Sequence, residues 1–224
     1  TLVQVPQVRD ANAGICRDFL SRLVAQDERL ANIGVIRPDG EVVCSGVPLT
    51  SGLNVTDRSY FQRAVQTGKF AIGDYQIGRI TKLPVLVLAL PTFSAQGRLQ
   101  SVVFAALNLG RLNQFAAQAA LPLGATLTVL DRNDTILVRN LEPERWVGTP
   151  APESALLRKL NAAKSGETAA VPGFDGVQRL YAFEHLDGHS GNGAHIILGI
   201  PTATAYAAAD RILVRNLAIL MFVS

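Results

Sequence analysis

The sequence predicts an α+β fold made of two similar modules, each an antiparallel sheet with helices on one face. Three observations predict it. Short apolar runs alternate with turns rich in Gly, Pro, Asn and Asp, the pattern of hairpins. Helical apolar spacing is confined to a few segments. A hairpin pattern near residue 33 recurs near residue 127.

The elements follow in order. Residues 10–30 read as one helix, because Ile15, Phe19, Leu20, Leu23, Val24 and Leu30 fall at three- and four-residue spacing. Residues 33–36 read as a strand, and Arg37-Pro38-Asp39-Gly40 as its turn, since Pro presets φ and Gly accepts a positive one. Residues 41–45 return. Thr56-Asp57 offers an N-cap for a helix over 58–67. Residues 74–80 read as a short strand, 84–93 as a nearly continuous apolar strand, 99–107 as its partner and 109–120 as a helix.

Then the pattern restarts. Residues 125–130 and 135–139 flank the turn Asp131-Arg132-Asn133-Asp134. Ile33, Val35, Ile36, Asp39, Val42 and Val43 match Leu127, Val129, Leu130, Asn133, Ile136 and Leu137 at one constant offset. A helix over 153–163, strands over 178–184 and 194–200, and a helix from Thr202 complete the second copy. Hairpin order implies antiparallel sheets.

Composition narrows the function. Of 224 residues, 48% are apolar and 17% charged, which supports a packed core and excludes disorder. The net charge of +3 is spread without a basic run, which argues against nucleic acid. No run of ~18 apolar residues spans a bilayer. The segment after Arg215 is apolar from Leu217 to Val223. It reads either as a terminal helix docked on the core or as the first turns of a membrane-spanning helix, with Arg211 and Arg215 just outside the lipid. The second is the expectation. Cys16 and Cys44 are either two buried thiols or a disulfide tying the first helix to the sheet. The disulfide is preferred, and it suits an oxidising compartment such as the periplasm.

No catalytic, cofactor or metal site is expected. His185, His189 and His195 lie near Asp187, but Gly188, Gly191 and Gly193 argue against a helical zinc face. Gly188-His189-Ser190 lacks the second glycine of a nucleophile elbow, because Asn192 stands there. No catalytic pair converges to favour an exported hydrolase.

A wider pattern carries a resemblance. It begins with Cys16 and Phe19-Leu20, then Asn32-Ile33-Gly34-Val35, Val43-Cys44-Ser45 and Asp57-Arg58-Ser59-Tyr60-Phe61. It continues through Gly73-Asp74-Tyr75 with Gly78, Ile80-Thr81-Lys82-Leu83-Pro84-Val85-Leu86 and Leu90-Pro91. It ends with Leu127-Thr128-Val129-Leu130-Asp131-Arg132-Asn133 and Trp146-Val147-Gly148. The chain thus resembles, over almost its whole length, the double Cache sensor domains of bacterial transmembrane receptors.

The resemblance implies a long N-terminal signalling helix (1–32), a membrane-distal PAS-like module (33–122), a membrane-proximal PAS-like module (123–202) and a C-terminal helix (203–224) that starts a transmembrane segment. It implies a periplasmic or extracellular domain of a cytoplasmic-membrane receptor, paired as a homodimer along the first helix. A sensor histidine kinase is the expected output, with a diguanylate cyclase or chemoreceptor as alternatives. A ligand-free structural spacer is the remaining reading.

The resemblance also points to the ligand site. The helix bearing Arg58, Tyr60 and Phe61 and the segment bearing Asp74 and Tyr75 would line it. Arg58 suits a carboxylate through its planar fork. Its alternative role is a salt bridge with Asp57 or Asp74, and Tyr60 and Phe61 alternatively pack a helix face. Amino-acid-binding members carry an aspartate two residues after the tyrosine, where Ile77 stands here. They carry another on the strand that here reads Val102-Val103-Phe104-Ala105-Ala106-Leu107. An ammonium group left unpaired in a closed site is costly. A small carboxylate or another molecule with an uncharged tail is therefore expected, and an amino acid is not.

Overall fold

A computed structural model of the chain describes residues 13–162, 164, 166–186 and 194–207. Helix α1 (Ala13–Gln26) leads into β1 (Leu30–Ile36) and β2 (Val42–Ser45). Helix α2 (Ser59–Thr67) is followed by the two-residue strands β3 (Ala71–Ile72) and β4 (Gln76–Ile77). The long hairpin β5 (Pro84–Phe93) and β6 (Leu99–Asn108) runs into α3 (Leu109–Gln118). The second module holds β7 (Thr126–Leu130), β8 (Ile136–Arg139), α4 (Pro143–Trp146), α5 (Ala155–Ala162), β9 (Thr168–Pro172), β10 (Gln178–Leu186) and β11 (Ala194–Pro201). Residues 202–207 are helical. The apolar tail, Arg211, Arg215, His189 and the chain before residue 13 lie outside the described residues.

Both sheets are antiparallel, ordered β2-β1-β6-β5-β3, with β4 on β5, and β8-β7-β11-β10-β9. The duplication reaches individual hydrogen bonds. Val35 pairs with Cys44 and Ile36 with Val42 across a bulge; ninety-four positions on, Val129 pairs with Val138 and Leu130 with Ile136 across the same bulge. Arg37 N–H donates to Glu41 O at 2.8 Å, and Asp131 N–H to Thr135 O at 2.9 Å. The two turns differ at all four residues but share a left-handed conformation at the last. Gly40 takes φ 86°, and Asp134 takes φ 59° in its place, a conformation that Asp tolerates better than most side chains.

Helices cover both faces of each sheet, not one face as hairpin order suggests. In the first sheet, Cys16 and Leu20 of α1 pack on Ile33, Val35 and Val103. Tyr60, Phe61 and Ala64 of α2 pack on Ile36, Val87 and Phe104 from the other side. The reason lies in the strands: β1 and β5 are apolar on both faces, and a face left to water would expose that surface. In the second sheet, Leu156 and Leu160 of α5 cover Leu130, Ile136 and Ile197. Leu109 and Ala116 of α3 cover Leu137 and Val138 and join them to Leu86 and Tyr75 of the first module. Asn113 fastens α3 to β8, donating to Leu137 O at 3.1 Å and accepting from Arg139 N–H at 2.8 Å.

Several boundaries differ from the sequence reading, and residues 74–80, read as one strand, pair only at Gln76–Ile77. Helix α1 stops at Gln26, because the Asp27 carboxylate accepts the Arg29 N–H at 3.0 Å, and Leu30 opens β1. Residues 30–32 are strand, not helix. Asp57 does not cap α2, whose N-cap is Arg58 without a side-chain bond, because Asp57 is engaged with Arg79. Cys16 on α1 and Cys44 on β2 are joined by a disulfide, with Cα atoms 6.2 Å apart.

Candidate ligand site

Helix α2 and residues 76–81 roof the concave face of the first sheet. Asn32, Val42, Val85, Val87, Phe104 and Ala106 form the floor; Arg58, Tyr60, Gln76, Arg79, Ile80 and Thr81 form the roof. In this conformation the enclosed space is about 30 Å³, room for one or two waters.

Each acid near the roof is already paired. Asp57 receives both guanidinium nitrogens of Arg79, at 2.8 and 3.0 Å, and is held below the usual carboxylate range by them. Asp74 receives Arg63 at 2.5 and 2.7 Å. Arg58 forms no salt bridge among the described residues; its Nη1 donates to the neutral Gln76 Oε1 at 2.9 Å. Among the described residues no carboxylate lines the cavity. Burial pushes the Tyr60 phenol up to about 12, so it remains a hydroxyl at neutral pH. The result is a small site with an apolar floor and a cationic, hydroxyl-bearing roof.

Of the five residues singled out from sequence, Arg58 and Tyr60 line this cavity. Phe61 is buried in the core beside it, outside the lining. Asp74 turns to Arg63 of α2. Tyr75 packs at the junction of the modules, where its N–H donates to Asp131 Oδ2 at 3.0 Å. Both are absent from the lining because the chain leaves the sheet after Ile72 and rejoins it only at Gln76. Sequence reasoning did not single out Asn32, Gln76, Arg79 or Thr81 for the site. Asn32 carried a signal, a polar residue opening an apolar strand; it is buried and bonded to Ser45. Arg79 carried none, since only the fold brings it to Asp57.

The second module has no equivalent opening among the described residues, and the register explains it. Asn32, Ser45, Val85, Val87 and Ala106 correspond to Thr126, Arg139, Arg179, Tyr181 and Gly199. Three of the five replacements, Arg139, Arg179 and Tyr181, put large groups where the first module has Ser45, Val85 and Val87. The Tyr181 ring lies so close over Gly199 that any side chain there would collide with it. Arg139 and Arg179, both almost fully buried, share the Asp175 carboxylate at 3.6 and 2.6 Å. Arg139 also lies 5.2 Å from the centre of the Trp146 ring. Among the described residues no group of three His, Cys, Asp or Glu side chains could hold a metal. His185 and His195 face each other across β10 and β11, with Nδ1 atoms 2.6 Å apart.

One open cup above one filled cup, in a duplicated α+β frame, defines a tandem sensor domain. The chain belongs to the Cache-domain family, of the double-Cache type: a family model described as a Cache domain matches residues 1–209. The chain is similar to sporulation kinase D of Bacillus subtilis (strain 168), 25% identical over 96 residues. That match covers 43% of this chain and 19% of the kinase, so the chain aligns with about a fifth of that protein. Among solved structures it is similar to the extracellular domain of rpHK1S-Z16, assigned as a histidine kinase. The TM-score is 0.71 at 18% identity, over 88% of this chain and 81% of the other. It is also similar to the ligand-binding domain of the Pseudomonas fluorescens chemoreceptor CtaA with L-isoleucine. There the TM-score is 0.61 at 15% identity, over 90% of this chain and 84% of the other. At these identities the structural likeness speaks to fold. No helix among the described residues is long and apolar enough to cross a membrane.

Proposed function

We propose that this chain is the extracytoplasmic input domain of a sensor histidine kinase and binds a small carboxylate in the cavity of its first module. The observation that carries the reading is Arg58, a guanidinium at the cavity wall bonded to the neutral Gln76 amide, in a site that no acid among the described residues lines. A carboxylate of the ligand takes the place of Gln76 and gains charge-assisted bonds. The valines and Phe104 of the floor accept a short apolar tail. The α-ammonium of an amino acid finds no counter-charge among the described residues that line the cavity. Flanking helices anchor the domain in the cytoplasmic membrane, and two copies pair along α1. The similarity to sporulation kinase D and to the rpHK1S-Z16 domain supports a kinase output over a chemoreceptor.

Titration calorimetry with acetate, lactate, pyruvate, succinate and the common amino acids tests the reading. Saturable binding of one of these acids, lost in Arg58→Ala, is the expected result. Saturable binding of an amino acid overturns it. No binding by any of them favours a structural spacer, a reading to which the 30 Å³ of free space lends weight.

A further inference from the structure

Three consecutive residues, Asp74, Tyr75 and the cavity residue Gln76, address three different parts of the molecule. Asp74 is gripped by Arg63 of α2, whose other nitrogen also donates to Ile72 O at 2.6 Å. Gln76 accepts from Arg58 at the cavity. Between them Tyr75 crosses to the second module. Its N–H donates to Asp131 Oδ2, and its ring lies over Gly148, where an added Cβ would stand 2.7 Å from the phenol oxygen. Gly148 sits at φ 82°, and its own N–H donates to Ile136 O at 2.8 Å. Tyr75 therefore touches both the turn that opens β8 and the chain that returns along it.

We infer that Tyr75 is a positioning residue through which the cavity biases the membrane-proximal module. The inference rests on the reading of the cavity as the ligand site. Strand β4 is two residues long and, among the described residues, pairs only with β5, so the Gln76 backbone rests on a short ladder with Val85 while its side chain is held by Arg58. A ligand that draws Arg58 away releases Gln76, and the displacement passes to the next residue. Asp131 then has two arrangements: one oxygen on Tyr75 and one on its own turn, or both free for the turn. Such a two-state element is what coupling between sites requires. Asp131 directly follows β7, β7 pairs with β11 from Thr126 to Leu130, and β11 ends at Pro201, where the helix toward the C-terminus starts.

The test needs no ligand, so its failure is distinct from a failure to bind carboxylates. Amide exchange at Tyr75 and Gly148 is followed by NMR in the unsubstituted chain, Arg58→Ala, Asp131→Asn and the double variant. Asn at 131 keeps an acceptor for the turn amides while withdrawing the one facing Tyr75. Arg58→Ala is expected to speed both amides about tenfold, the cost of weakening one charge-assisted bond. In the Asp131→Asn background it is expected to add nothing at Gly148. Unchanged exchange at Gly148 in Arg58→Ala, or equal acceleration in both backgrounds, overturns the inference. Gln76→Ala removes the same cavity bond from the other side and replaces Arg58→Ala if that chain fails to fold.

Discussion

The backbone N–H of Tyr75 is bound by the carboxylate of Asp131 at 3.0 Å, across the boundary between the two modules. The other oxygen of that buried carboxylate accepts the N–H groups of Asn133 and Thr135, at 2.9 and 2.8 Å. One side chain closes the turn of the second module and fastens the first to it. Asp131→Ala strands three donors, and a loss of about 3 kcal/mol or more is expected. Asp131→Asn keeps the turn and is expected to cost about half of that. Urea unfolding followed through Trp146, the chain's single tryptophan, measures both.

Arg58→Ala is expected to weaken carboxylate binding about 10- to 100-fold, the range for a hydrogen bond to a charged group. Arg58→Lys keeps the charge but loses the fork, and should fall between. Calorimetry gives the affinities, and an unchanged melting temperature separates lost binding from lost fold.

Asp175 is within salt-bridge distance of two buried arginines, Arg139 and Arg179. Asp175→Asn leaves both without it and is expected to cost about 3–5 kcal/mol. Burial raises the Asp175 pKa, but the bonds from Arg179 and the Val177 N–H lower it further, so it lies below the ordinary carboxylate value. Its contribution is therefore present above pH ~4 and lost as pH falls through the depressed value. Urea midpoints of the Trp146 transition between pH 7 and pH 2 should show this decline, and Asp175→Asn should lack that part of it.

The Cys16–Cys44 disulfide closes a loop across a sequence separation of 28 residues. Reduction, or Cys16→Ser with Cys44→Ser, is expected to cost about 3–4 kcal/mol. Thermal melts with and without reductant check this, and the double variant should be indifferent to reductant.

Much of the frame was legible because hairpins advertise themselves at close range. The bounds of β5 coincide with its apolar run, and the shared register of β1–β2 and β7–β8 follows from equal spacing about two turns. What failed depended on distant parts of the chain. Leu30 fits a helical and a strand period alike, and only its pairing with Leu107 decides. The four-residue α4 is too short to show a period. For the site, the resemblance pointed to Arg58, Tyr60, Phe61, Asp74 and Tyr75 alike, and only the first two line the cavity. Reading 74–80 as one strand puts alternate residues on the cavity. The chain pairs only at Gln76 and Ile77, so its preceding residues turn to Arg63 and Asp131 instead.

The equal hairpins have a consequence for folding fidelity. Strand β1 belongs beside β6 but carries the register that fits β11, and β7 the register that fits β6. Closing the longer, wrong loop from β1 to β11 costs only about 0.8 kcal/mol more than closing the right one, because loop entropy grows with the logarithm of length. Chain entropy therefore does little to prevent the two copies from exchanging strands. The side chains that differ between them must reject the exchange. A sheet that seats β11 beside β1 brings Arg179 and Tyr181 of the neighbouring β10 into the place of the floor's valines and parts Asp175 from its partner Arg139 on β8. The residues that fill the second cup thus also serve as the mark by which each half of the chain recognises its own strands.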